Sequence, residues 1–198
     1  MKDISIHFYT LLYVVSAIVT YLHINYINHH TEIQNYNNLP DMIVDNLPDL
    51  SQNKLCQSLT NNCLILWLSP ILLSKNTELC YLAFKIFSII YFLRNITKLF
   101  TIIPSQQQEC KSSTNDIRCY IFGYCHDKIF SGHLSLSLVL LLVTIDNKLI
   151  GDKYIPLAMI LHVIYAGLIL AVRNHYSVDI ILAYIICISV FYNIKDIV

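Results

Sequence analysis

The chain has 198 residues, 56% of them hydrophobic and only 13% charged, about half the charged fraction of a soluble domain. That composition excludes a disordered chain, which is polar and charged, and argues against an ordinary soluble domain. Thirteen Lys plus Arg balance thirteen Asp plus Glu, so there is no basic excess to meet phosphates, and nucleic acid is not expected as a partner. Four glycines and five prolines are too few turn residues for a hairpin-rich β architecture.

A helix needs roughly 20 apolar residues to cross ~30 Å of hydrocarbon. Residues 8–27 form the first such span, interrupted only by uncharged polar groups and His23. It lacks the small-residue cleavage site of a signal peptide, so a retained span is expected. A polar stretch follows over 29–54, with Leu39-Pro40-Asp41 and Leu47-Pro48-Asp49 as turn signals. Residues 55–74 read as a second span with a polar first half (Gln57, Ser58, Thr60, Asn61, Asn62), and 79–93 as a third that carries Lys85 and runs into Arg94. Pro104 closes that region, and 105–128 is polar. Residues 130–145, 154–172 and 178–192 are the fourth, fifth and sixth spans, separated by 146–153 and by the tight link 173–177.

The expected fold is therefore all-α: a multi-pass membrane helical bundle of six transmembrane helices. It forms a single domain over 1–198, with its catalytic core at about 79–192. Segments after the first, third and fifth spans then share one side. That side collects the ionisable residues of 94–128, His133 and His175 to Asp179. The positive-inside rule leans toward making it cytoplasmic, since Lys54, Lys98, Lys111, Arg118, Lys128 and Arg173 lie there. Several of these cations are also candidate substrate ligands, so the rule does not set the orientation.

The seven cysteines show no CxxC pair and no zinc-finger spacing. Cys110, Cys119 and Cys125 share the polar segment, which is equally compatible with a disulfide in an oxidising compartment and with free thiols.

Ionisable groups at the edge of a span are costly and call for a functional explanation. His175 and Asp179 stand at i and i+4, on one face of a helix. A carboxylate there fixes the imidazole tautomer and leaves its other nitrogen as base or nucleophile. The plainer reading is a first-turn Asp beside an interfacial His. Ser131-Gly132-His133 opens the fourth span. Gly lets a ligand approach the backbone, and amides at a helix start hold phosphate oxygens. Two imidazoles at one mouth suit phosphoryl transfer, one attacking phosphorus and the other moving the proton.

The segment Cys125-His126-Asp127-Lys128-Ile129-Phe130-Ser131-Gly132-His133 resembles the pattern Cys-Gly-Asp, three residues, Ser-Gly-His. His175-Tyr176-Ser177-Val178-Asp179-Ile180 is similar to His-Tyr-Ser/Thr-x-Asp-Val. Both patterns are those of sphingomyelin synthases and related ceramide phosphotransferases, a branch of the type 2 phosphatidic acid phosphatase superfamily. Two weaker likenesses are Arg94 to Pro104 followed by Cys110, and Leu39-Pro40-Asp41.

The resemblance implies a six-span enzyme whose active site faces the lumen or the exterior. It moves a phospho-head-group, phosphocholine in the first instance, from phosphatidylcholine or another phospholipid to ceramide, and releases diacylglycerol. His175 would be the nucleophile, Asp179 its orienting carboxylate, and His133 the acid and then the base. Arg94 matches the family arginine, and Arg173 lies close to His175; each is a candidate phosphate ligand or an interfacial cation. Lys128 reads as interfacial.

The departures are His126 for the family glycine, Leu134 for a threonine and Ile180 for Val. The cytosolic N-terminal extension of many relatives, with any sterile-alpha-motif domain, is expected to be missing, and homo-oligomerisation is left open. Asn95-Ile96-Thr97 forms a glycosylation sequon expected to lie too near the membrane for use. No cofactor and no metal are implied. A lipid phosphate phosphatase is the alternative in the same superfamily, but its Lys-x6-Arg-Pro motif is absent and no Arg-Pro dipeptide occurs. A non-catalytic membrane protein is the alternative from another class.

Overall fold

A computed structural model describes residues 2–29, 39–101, 103–104, 106 and 129–195. In chain order these form α1 (Lys2–His29), a 3-10 turn (Val44–Asn46), α2 (Lys54–Asn62), α3 (Leu64–Leu73) and α4 (Thr77–Phe100). Then follow α5 (Gly132–Asp146), a second 3-10 turn (Asp152–Tyr154), α6 (Ile155–Ala171) and α7 (Ser177–Ile194). No strand occurs among the described residues.

Local chemistry sets the helix ends. Asn53, Asn76 and Ser131 precede α2, α4 and α5, and each side chain accepts an amide of the first turn. Pro156 sits in the first turn of α6, where its missing N–H costs nothing. Three helices end on a left-handed residue that is not glycine: Lys75 (φ 53°), Lys148 (φ 51°) and Arg173 (φ 61°). Behind two of them the chain closes with Leu149 N donating to Thr144 O (3.0 Å) and Asn174 N to Ile169 O (3.2 Å). A chain so poor in glycine puts cations at these ends, where they also meet the negative end of the helix dipole.

Among the described residues, four segments are long and apolar enough to cross a membrane: Ile6–His23, Thr77–Phe100, Asp152–Ala171 and Ser177–Ile194. They correspond to the expected first, third, fifth and sixth spans, and the chain is an integral membrane protein. The other two expectations are modified. The second span is broken at Cys63 into α2 and α3, the polar half separating from the apolar one. The fourth, expected over 130–145, is the 15-residue α5, about 22 Å, and counts among the shorter apolar helices. The third runs on past Leu93, so Arg94, Asn95 and Lys98 are buried helical residues.

The short α5 is central. It packs against α7, α4 and α3, and more lightly against α6. It is buried nearly all round, and Leu134, Leu138, Val139 and Leu141 share one core cluster with Ile86 and Ile90 of α4 and Ala183 and Phe191 of α7. Outward faces stay apolar, with Leu11, Ile18 and Leu22 of α1 and Ile160, Val163 and Ile164 of α6 exposed. Water does not favour such faces, but lipid tails do. α1 lies parallel to α4, with Tyr13 stacked on Tyr91 (5.3 Å) and Thr20 Oγ1 donating to Asn95 Oδ1 (2.8 Å). Deep in the bundle His162 bridges Ser137 Oγ (3.0 Å) and Tyr184 Oη (2.8 Å), tying α5, α6 and α7 together. Contacts of this kind are worth about 0.6 kcal/mol each on average in a membrane.

Both ends of the bundle are closed by polar contacts. At one end Leu50 N donates to Ala171 O (2.8 Å), and Arg94 Nε donates to Phe130 O (2.9 Å). At the other Lys195 pairs with Asp146. Residues 39–50, Phe130 with Ser131, and the link 172–176, which follow α1, α4 and α6, thus gather at the first end.

Candidate functional site

The site assembles where α4, α5 and α7 meet. Ser131 caps α5 by accepting from Leu134 N (3.3 Å). Its own amide donates to the carbonyl of Asp179 (3.4 Å), joining the start of α5 to the first turn of α7. Arg94, almost fully buried, comes up from α4 and lies along the same junction. An alanine methyl at Gly132 would stand 3.5 Å from Arg94 Cζ and Nε, so the bare glycine leaves the guanidinium next to the α5 backbone. A helix start and a guanidinium side by side form an anion-binding arrangement. His133, second residue of α5, is half-buried at this junction.

His175 and Asp179 lie across it. His175 Nδ1 is 3.5 Å from Asp179 Oδ2, and both side chains are buried. The same oxygen accepts the amide of Tyr176 (3.0 Å), so the carboxylate cannot swing away from the imidazole. Asp179 Oδ1 has no hydrogen-bond partner among the described residues.

Residues 39–50 pack against the link that carries His175. Asp41 Oδ2 accepts from Ser177 N (2.6 Å), the first amide of α7. Its other oxygen accepts from Ile43 N (3.0 Å) and Val44 N (3.1 Å). Burial works to raise the Asp41 carboxyl, but these amides outweigh it and hold the group below its ordinary 3.8. Tyr176 Oη accepts from Leu39 N (3.1 Å). The Arg173 fork donates to Val44 O and to Leu47 O (3.1 Å), with Asp49 at 3.8 Å.

Residues 124–196 match the family model of the PAP2 superfamily C-terminal domain, a stretch that holds His133, His175, Asp179 and all of α5 to α7. A similar protein is the phosphatidylinositol:ceramide inositolphosphotransferase of Trypanosoma cruzi (strain CL Brener), 28% identical over 121 residues. The match covers 54% of this chain and 36% of that relative's length. The chain is related to the sphingolipid phosphotransferases of the PAP2 superfamily.

As a phosphotransferase relative, it brings four of the five expected site residues to one junction: Arg94, His133, His175 and Asp179. Arg173 is engaged elsewhere, its guanidinium taken up by Val44, Leu47 and Asp49. His126, Asp127 and Lys128, with Cys110, Cys119 and Cys125, lie outside the described residues. Cys56, Cys63, Cys80 and Cys187 are free thiols. Among the described residues no group of three His, Cys, Asp or Glu could hold a metal. Asn95 is buried against Thr20, so its sequon is not presented for glycosylation.

Sequence reasoning missed the parts played by Asp41 and Tyr176. The first Leu-Pro-Asp was noticed as a motif, but its contact with Ser177 spans 136 positions of sequence, and no local pattern announces it.

Proposed function

We propose that this phosphotransferase relative moves a phospho-head-group from a glycerophospholipid to ceramide through a phosphohistidine, on the luminal or extracellular face of its membrane. The observation that carries the reading is the buried His175–Asp179 pair at 3.5 Å, beside a helix start flanked by Arg94. With Nδ1 turned to Asp179, the Nε2 of His175 is the attacking atom. It bonds to phosphorus as the bond to the diacylglycerol oxygen breaks. His133, protonated at that moment, gives its proton to the leaving oxygen and becomes neutral. Ceramide's hydroxyl then attacks phosphorus, His133 takes the hydroxyl proton, and the phosphorus–nitrogen bond breaks to restore His175.

Each positioned proton transfer is worth roughly 10²- to 10⁴-fold. Asp179 steadies the positive imidazole while it carries the phosphoryl group. Arg94 and the α5 amides meet the charge on the phosphoryl oxygens. The same arrangement needs no metal for the proton steps.

Phosphocholine is the head group expected from the motifs, whereas the name of the Trypanosoma relative specifies inositol phosphate. The test is turnover in proteoliposomes with fluorescent ceramide and either phosphatidylcholine or phosphatidylinositol. A fluorescent phospho-product with matching diacylglycerol from one donor is expected. His175→Ala, His133→Ala and Asp179→Ala are each expected to lose it while still inserting into membranes. Normal turnover by His175→Ala refutes the mechanism. Phosphate release from phosphatidic acid without any ceramide product refutes the transfer.

A further inference from the structure

We infer that residues 39–50 are a fixed part of the reaction centre, with Asp41 and Arg173 as positioning residues that set the imidazole of His175 against Asp179. This rests on His175 being the nucleophile.

The link between α6 and α7 is five residues long, and two of them, together with the first residue of α7, are bound to this one segment. Arg173 donates to Val44 O and Leu47 O, Tyr176 Oη accepts from Leu39 N, and Ser177 N donates to Asp41. His175 lies between these anchors. The imidazole–carboxylate distance depends on how the first turn of α7 sits relative to Arg173, and both sides of that relation are tied to residues 39–50. The segment is itself fixed. Asp41 closes its own turn onto Ile43 and Val44, Asp45 Oδ2 accepts from Asp41 N (3.0 Å), and Leu50 N is held by Ala171 O. Val44 is buried in the core cluster. Arg173 also stands at φ 61°, a left-handed conformation that is strained for a non-glycine residue. Its three carbonyl and carboxylate partners explain why a long cationic side chain occupies that place.

A misplacement of about 1 Å costs on the order of 10²-fold in rate, so loss of either anchor acts on the chemical step more than on substrate binding. The experiment uses the full chain in proteoliposomes, with Asp41→Ala, Arg173→Ala and Arg173→Lys. For the alanine variants kcat is expected to fall about 10- to 100-fold with KM held within about threefold. Lys, which keeps the charge but not the fork, should restore only a minor part.

A second readout does not depend on activity. The rate at which a histidine-acylating reagent modifies the buried His175, followed by mass spectrometry, should rise about tenfold in both alanine variants as opening of the link exposes the ring.

Ser177→Pro isolates the Asp41 contact. Position 177 is the first of α7, where Pro is accepted, and Tyr176 already has the extended backbone (φ −81°, ψ 161°) that Pro demands before it. In the Asp41→Ala background, where no carboxylate crowds the ring, the added Pro should change kcat by less than about twofold, because the bond it deletes is already gone.

Unchanged kcat and unchanged labelling in the alanine variants overturn the inference. A raised KM with intact kcat at Arg173→Ala also overturns it, by making Arg173 a substrate contact. Full activity of His175→Ala would instead sink the proposed nucleophile, and the labelling rates would still report whether residues 39–50 hold the link.

Discussion

Gly132→Ala separates the fold from the chemistry at a single methyl group. The new Cβ would lie 3.5 Å from Arg94 Cζ and Nε and 3.8 Å from Nη1. Those are ordinary van der Waals distances, so nothing has to move. The backbone at 132 is not left-handed, and the residue opens α5. Alanine should therefore leave stability unchanged or raise it, by up to about 1 kcal/mol, the usual gain of Ala over Gly in a helix. On the proposed reading a phosphoryl oxygen meets both the guanidinium and the first amides of α5, and the methyl, in contact with that guanidinium, encroaches on its place. Displacing that oxygen by about 1 Å costs on the order of 10²-fold. Thermal unfolding in detergent and ceramide turnover in proteoliposomes, measured on the same preparation, give the two halves of the result. A stable variant with near-normal turnover refutes the phosphate position. A variant that fails to fold refutes the steric reasoning.

Lys148→Gly should stabilise by about 1 kcal/mol, because glycine pays no penalty for the left-handed conformation at φ 51°; a lowered Tm contradicts this, and turnover should not change at a position remote from the site. Arg173→Gly should do the opposite despite the same backbone geometry, since it deletes the contacts to Val44 and Leu47. The Asp41 carboxyl is depressed in the folded state, so its stabilisation is full above its unfolded value and is lost as pH falls through the lower folded value, below 3.8. Amide hydrogen exchange at Ser177 and Val44, corrected for intrinsic rates, should therefore speed up below that pH in the native chain and show no such step in Asp41→Asn.

What was legible in the sequence is what depends on neighbours along the chain. α1, α4, α6 and α7 announce themselves by apolar length, and the i, i+4 spacing of His175 and Asp179 already implies their pairing. α5 was also legible to within two residues of each end, with Ser131 capping its start. The polar half of the second span was visible as Gln57 to Asn62, and the helix breaks directly after it. The third span was cut too early because a hydropathy reading stops at a charge. Arg94 stays inside because Phe130 O and the bare Gly132 receive its guanidinium. Arg173 shows the limit: a cation two residues from a histidine suggests phosphate, yet its acceptors lie more than 120 positions away. The hydroxyls that satisfy His162 come from two other helices, which its place in the fifth span does not announce.

The unequal heights of the helices have a further consequence. α4 continues six residues past Arg94, to Phe100, and α1 continues nine past Thr20, to His29. At 1.5 Å per residue these extensions are about 9 Å and 13 Å long. The starts of α5 and α7, joined through Ser131 N and Asp179 O, lie beside Arg94, so on the proposed reading α1 and α4 rise past the place where the phosphoryl group is handled. On that same reading, an alcohol carried by a second lipid approaches from the bilayer in which these two helices stand.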